Sequence, residues 1–178
     1  MIGFVKRLFR RFRRGEKGNV TIEFVIIFPA FIVLFLSAFE AGILMTRWVM
    51  LERALDLSVR GLRLGAWSPP THQELKDQIC TDAAIIPDCD NSLLLELRPV
   101  STETWQPLGT QATCIDRDSE IEPVVAFSGG NDNEMMLVRA CAVFDPVFPS
   151  TGLGLRLPKD ATGAYALISS SAFVNEPS

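Results

Sequence analysis

Hydrophobic and polar positions divide this chain into three regimes. Residues 1–17, MIGFVKRLFRRFRRGEK, interleave basic residues with Phe4, Leu8, Phe9 and Phe12. From Gly18 to about Met50 the chain is almost continuously apolar. No Lys or Arg occurs between Lys17 and Arg47, and the acidic residues of that interval are Glu23 and Glu40. A helix needs about 20 apolar residues to cross a bilayer core, so this run is long enough to span one with some tilt. Beyond it the apolar positions narrow to a stripe at helical spacing: Leu44, Trp48, Leu51, Leu55, Val59 and Leu62. Asp56 and Arg60 stand four apart on this stretch, as an i,i+4 ion pair requires. Gly65, followed by Ser68-Pro69-Pro70, is the expected stop. The pattern predicts one helix from Asn19 to Gly65, about 70 Å long at 1.5 Å per residue. Its first half would span a membrane, and its second half would be the spine of a domain.

Within the spanning half, Phe24, Phe28, Phe31, Phe35 and Phe39 recur at spacings of three and four, which places them on one face. That face suits lipid and helix packing equally. Pro29 has no amide hydrogen, so the carbonyl of Val25 loses its helical partner and a local kink is expected. Ser37, Ala38, Ala41 and Gly42 are small enough to permit close helix approach. After Pro70, Thr71 is placed to cap an amphipathic helix running to about Ile86, with Leu75, Ile79, Ala83 and Ile86 inward. Strands are predicted at Ser92–Val100, ended by Pro99, at Met135–Val143 and at Ala164–Val174. The stretch 101–122 reads as polar and irregular, with Trp105 and Pro107 as packing points. Asp145–Pro158 is rich in Pro and Gly and reads as a loop. Three antiparallel strands against a long helix make an α+β fold.

Charge is sharply segregated. Residues 1–18 carry seven basic residues and one acidic residue, a net of +6; the other ten basic and twenty acidic residues give −10. A basic end beside an apolar helix belongs on the cytoplasmic side, since the seven basic residues before the helix outnumber Arg47, Arg53 and Arg60 just after it. The acidic domain is then exported. Nucleic-acid binding by the arginines is the poorer reading, because the spanning helix begins immediately after them. A secretory signal fits poorly too: the apolar core is too long, and a cut after Ala41 would place the bulky Phe39 at the third position back.

Cys80, Cys89, Cys114 and Cys141 all lie beyond the apolar run. Four cysteines in an exported domain read as two disulfides and allow three pairings. The smallest loops are closed by Cys80–Cys89 and Cys114–Cys141, the pairing favoured here. Zinc is disfavoured, because no C-x-x-C occurs and His72 is the only histidine. Asp116, Asp118, Glu120 and Glu122 alternate, and Gly129-Gly130-Asn131-Asp132-Asn133 is turn-rich, but a calcium loop's turning glycine is missing from the first. Solvated loops explain both better. The GLGL at Gly152–Leu155 lacks the strand and third glycine of a nucleotide fingerprint. Ser169, Ser170 and Ser171 have no base beside them in the predicted strand. No cofactor or catalytic constellation is expected.

Glu23 makes the apolar run more than an anchor. A carboxylate at the centre of a spanning helix costs about 2.5–3.5 kcal/mol on insertion scales, less near an interface. A basic leader, Gly18, four residues, Glu23-Phe24 and an unbroken apolar helix together resemble the prepilin processing motif of type IV pilin-like proteins. The tight-adherence (Tad) pilus branch carries Gly, four residues and Glu-Tyr. Phe24 at the Tyr position departs from its major pilins and is similar to the TadE-like pseudopilins. The resemblance covers about residues 10–65, GNVTIEFVIIFPAFIVLFLSAFEAG most closely. It implies a leader over 1–18, a transmembrane helix over 19–46 and a periplasmic α+β domain over 47–178. It implies cleavage between Gly18 and Asn19 by a prepilin peptidase. The new amino group of Asn19 would lie about one helical turn from Glu23 and pair with it, within one chain or between neighbours. The implied role is that of a minor pilin-like subunit in assembly of a tight-adherence pilus, in the surface attachment of a Gram-negative cell. The implied partners are the peptidase, other pilin and pseudopilin subunits, the inner-membrane assembly platform and membrane lipid, but not nucleic acid. The location would be the inner membrane, single pass, with an extracellular pilus as the destination. The competing expectation is an unprocessed single-pass envelope protein whose exported domain binds a partner or a wall component.

Overall fold

The computed structural model describes residues 20–67, 69–106, 112–117 and 123–176. Helix α1 (Val20–Arg63) runs 44 residues without a break through Pro29. It ends where the sequence turns from apolar stripe to glycine. Gly65 takes a left-handed conformation (φ 66°) that costs a residue without Cβ nothing. The amide of Gly65 donates to the carbonyl of Leu62 and that of Ala66 to Gly61, which closes a Schellman cap. Asn19, the expected first residue of the helix, lies outside the described residues, as do Ser68, Pro107 and the leader.

Helix α2 (His72–Asp82) starts on a capping box. The Glu74 amide donates to Thr71 Oγ1 (3.2 Å) and the Thr71 amide to Glu74 Oε2 (3.3 Å), satisfying two donors that the first turn leaves free. It stops four residues before the expected Ile86. The chain turns after Asp82, yet Ala83 and Ile86 still point into the core beside Leu75 and Ile79. A single turn, α3 (Cys89–Ser92), follows and leads into β1 (Leu93–Pro99). A long connection leads to β2 (Met135–Phe144), and a second to β3 (Tyr165–Val174). That second connection, expected to be only loop, holds a short helix, α4 (Gly152–Arg156). The correction has a physical cause, given below: the segment is ordered by α1 rather than by its own sequence.

The strands form one antiparallel sheet in the order β1-β2-β3. With one long helix ahead of a small three-stranded domain, the fold is α+β, and the side-chain alternation decides how it packs. On one face Leu93, Leu95 and Leu97 sit opposite Ala142, Ala140 and Val138. These face the second half of α1, where Leu51, Ala54, Leu55, Val59 and Leu62 are buried. Each fully buried leucine contributes roughly 1.5–3 kcal/mol. Trp48, expected on the same stripe, is 40% exposed. Among the described ion pairs none joins Asp56 to Arg60, a small loss for an exposed pair. The other face of β2 is buried as well, and carries Arg139 beside Glu96 (3.6 Å) and Cys141 bridged to Cys114.

Contacts at either end fix how the sheet lies on the spine. Near the top, Arg63 pairs with Glu176 (3.0 Å) just after β3. Near the bottom, Arg47 donates to the Tyr165 hydroxyl (3.0 Å) and lies over the Phe144 ring. Sixteen residues separate the two arginines, so this part of the helix, about 24 Å, carries the sheet. The segment from Val20 to about Thr46 projects below it.

Candidate functional site: the projecting helix and its lower contacts

The projecting half of α1 carries the residues that the sequence pattern singles out. Glu23, Phe24, Ile26, Ile27, Phe28, Phe31 and Leu34 are all exposed. Phe24 stacks on Phe28 (ring centroids 4.9 Å apart) and Phe31 on Phe35 (6.5 Å). The phenylalanines therefore form a ladder along one face, with Glu23 near its end. Val20, Glu23, Phe24, Ile27, Phe28 and Phe31 line a shallow apolar concavity there. In water such a surface is untenable: a monomeric protein rarely exposes so large an apolar patch. Of the described helices, α1 is the one long and apolar enough to cross a membrane, and its most apolar stretch is not buried inside the protein. Gly18 and Asn19 lie outside the described residues, so the structure places Glu23 and Phe24 but not the two residues at the expected cut.

Glu40, ordinary in the sequence reading, is the best-held charge of this half. The residue is 1% exposed. Oε1 accepts the amide of Val147 (3.1 Å) and Oε2 the amide of Phe148 (2.9 Å). One turn earlier, Ser37 Oγ donates to the Val33 carbonyl (2.7 Å) and accepts the Leu153 amide (3.3 Å). The Phe39 ring meets that of Phe148 edge-on at 6.0 Å. The connection between β2 and β3 is thus fastened to α1 below the sheet. The signal was present in the sequence: a carboxylate inside an apolar run needs a partner.

Above this latch, Arg117 clasps Asp145 with two nitrogens (2.9 and 2.7 Å) and donates to Thr162 Oγ1 (3.1 Å). The hydrogen bond from Arg117 is the main influence on the Asp145 carboxyl and holds it below the usual carboxylate range, with partial burial opposing. At Asp160 burial acts to raise the pKa, but hydrogen bonds from Thr162 and Ala164 outweigh it and lower the carboxyl. These pairs stitch the ends of the connection together.

The cysteines are brought together as Cys80–Cys89 (Cα–Cα 5.6 Å) and Cys114–Cys141 (5.3 Å). The first ties α2 to the start of α3. The second ties the long β1–β2 connection to the centre of the sheet. Asp118, Glu120 and Glu122 lie outside the described residues; among the described ones no group of three or more His, Cys, Asp or Glu could hold a metal ion. The Gly129–Asn133 turn is held by hydrogen bonds within the protein. Asn131 donates to Glu134, and Asn175 Nδ2 donates to the carbonyls of Gly129 and Asn131. What the arrangement offers is a long apolar helix face with a carboxylate near one end and a rigid domain clamped to the other.

No curated protein and no solved structure matches the chain. Residues 18–60, the segment that begins at Gly18 and carries the phenylalanine ladder, Glu40 and much of the spine, match the family described as TadE-like protein.

Proposed function

We propose that this chain is a minor pilin-like subunit that acts in assembly of a tight-adherence pilus. A prepilin peptidase removes residues 1–18 on the cytoplasmic side of the inner membrane. Glu23 then pairs with the amino group of Asn19, its own or a neighbour's, as the projecting helices of successive subunits bundle. The α+β domain faces the periplasm, where its two disulfides form. The protein works through packing, without a catalytic centre of its own.

One observation carries this reading. A single helix presents an exposed apolar half, with Glu23 at its far end, and a second half buried as the spine of a domain, within the segment that matches the TadE-like family. The exposed half suits storage in a bilayer and subsequent packing against like helices. The carboxylate near its end supplies register, because an unpaired charge in that bundle costs several kcal/mol.

Glu23→Ala tests the register role. The variant inserts and folds normally, since Glu23 is exposed on the projecting half of α1, but pilus assembly on the native cell falls sharply. Normal piliation with Glu23→Ala would remove the salt pair from the account.

A further inference from the structure

The contacts of Glu40 have a consequence for where the domain sits. Segment 145–159, DPVFPSTGLGLRLPK, passes below the level of Arg47, where the sheet ends, and reaches Glu40 and Ser37. Those residues lie 7 and 10 positions before Arg47, about 10 and 15 Å further down the helix axis. From Val20 to Glu40 the helix rises about 30 Å, one hydrocarbon thickness. With α1 spanning, Glu40 stands at the far hydrocarbon boundary, and the segment fastened to it stands there too.

The segment is built for such a boundary. Its polar backbone is turned inward: the amides of Val147 and Phe148 go to Glu40, that of Leu153 to Ser37, and those of Leu155 and Leu157 to carbonyls of the segment itself. Two of its apolar side chains turn outward, while Leu157 packs against the core. Leu155 is 58% exposed and Val147 42%, beside the half-exposed Phe39. Arg156 is exposed next to them, and Lys159 folds back to the Pro149 carbonyl (2.9 Å). Backbone amides engaged within the protein, outward apolar groups and adjacent cations are the features of a surface that sits among lipid headgroups. The two glycines of GLGL make the seat possible. A Cβ on Gly152 (φ 51°) would collide with Ser37 Oγ, and one on Gly154 with the Phe148 carbonyl.

We infer that residues 146–156 form a foot that rests in the outer, headgroup-level interface of the bilayer around α1, with lipid covering Val147, Phe148 and Leu155. This rests on the reading of α1 as a spanning helix. The foot shields the Glu40 carboxylate from hydrocarbon and holds the domain at a fixed height on the membrane.

The test uses the full-length chain in nanodiscs of phosphatidylethanolamine and phosphatidylglycerol. The four native cysteines are engaged in disulfides, so a cysteine introduced without reductant is the sole thiol for a nitroxide label. Collision with oxygen, enriched in lipid, is compared with collision with a water-soluble nickel chelate at three sites. Leu34→Cys reports the spanning segment, Leu155→Cys the foot and Ile168→Cys the outer sheet face. The expected ratio of oxygen to nickel accessibility is highest at 34, several-fold above that of 168 at 155, and lowest at 168. Adding Glu40→Ala lowers the value at 155 towards that at 168. A water-like 155 beside a lipid-like 34 overturns the foot and leaves the spanning helix intact. A water-like 34 overturns both. Shielding of 155 from both reagents would place a second protein copy over the rim and overturn lipid as its cover.

Discussion

Removing the Glu40 carboxylate should release the β2–β3 connection while leaving the sheet in place. Each carboxylate oxygen accepts one backbone amide, at 3.1 and 2.9 Å, in a pocket that leaves the residue 1% exposed. A hydrogen bond to a charged group contributes about 1.5–3 kcal/mol. Two of them give a lower figure of about 3 kcal/mol for Glu40→Ala, borne locally because both bonds go to the foot itself, whose other ties to α1 are the Ser37–Leu153 hydrogen bond and the Phe39–Phe148 contact. At about 1.4 kcal/mol per decade this is roughly a hundredfold change in an opening equilibrium. Hydrogen exchange in nanodiscs, read by mass spectrometry, measures it directly. Amides of 147–157 should exchange about a hundredfold faster in the variant, and those of β1 and β2 at the wild-type rate. Glu40→Gln separates charge from shape. The amide keeps one acceptor oxygen but turns an NH2 group towards a second backbone donor, so it should recover less than half of the lost protection. Exchange within threefold of wild type in Glu40→Ala would show that the latch contributes no stability and that the geometry has been over-read.

Three further outcomes follow from particular contacts. Ser58 is buried in the spine and its hydroxyl has no hydrogen-bond partner among the described residues; Ser58→Ala should raise stability by about 1 kcal/mol in thermal or denaturant unfolding, as an unsatisfied hydroxyl disappears and helix propensity improves. Asp145 has a lowered pKa, so its pairing stabilises the fold above the ordinary carboxylate value of about 3.9 and the contribution fades as pH falls through the lower folded value. Arg117→Ala should therefore be less stable than wild type at pH 7, by less than about 1 kcal/mol because the Asp145 side chain is 67% exposed, and the gap between the two melting temperatures should narrow as pH falls below the ordinary carboxylate range. Gly152→Ala should loosen the foot, because the added Cβ meets Ser37 and the backbone is left-handed there; the same exchange measurement reads it, with faster amides at 147–157.

The fold was most legible where one periodicity governs a long stretch. The stripe from Leu51 to Leu62 and the glycine after it set the spine and its end to within two residues of the observed Arg63. The strands fall within a residue of their expected bounds, since each is an apolar run closed by Pro, Gly or charge. Helix α2 was drawn too long because Ala83 and Ile86 keep a helical spacing while the chain has already begun the turn that brings Cys89 to Cys80. Helix α4 was missed for a different reason. Its sequence, rich in Gly and Pro nearby, has little local preference for helix, and what orders it is a carboxylate and a hydroxyl more than 100 residues away. At the candidate site the same division holds. Glu23 and Phe24 are singled out by a local motif, whereas Glu40 needs a partner that no local pattern names.

The amino terminus of the mature protein is the most direct test of a pilin-like role. N-terminal sequencing with intact mass, on protein taken from the membranes of its native cell, should give a chain that begins at Asn19, with Glu23 at its fifth position. A chain still beginning at Met1, in cells with an active prepilin peptidase, would contradict the pilin-like reading and leave a simple membrane-anchored envelope protein.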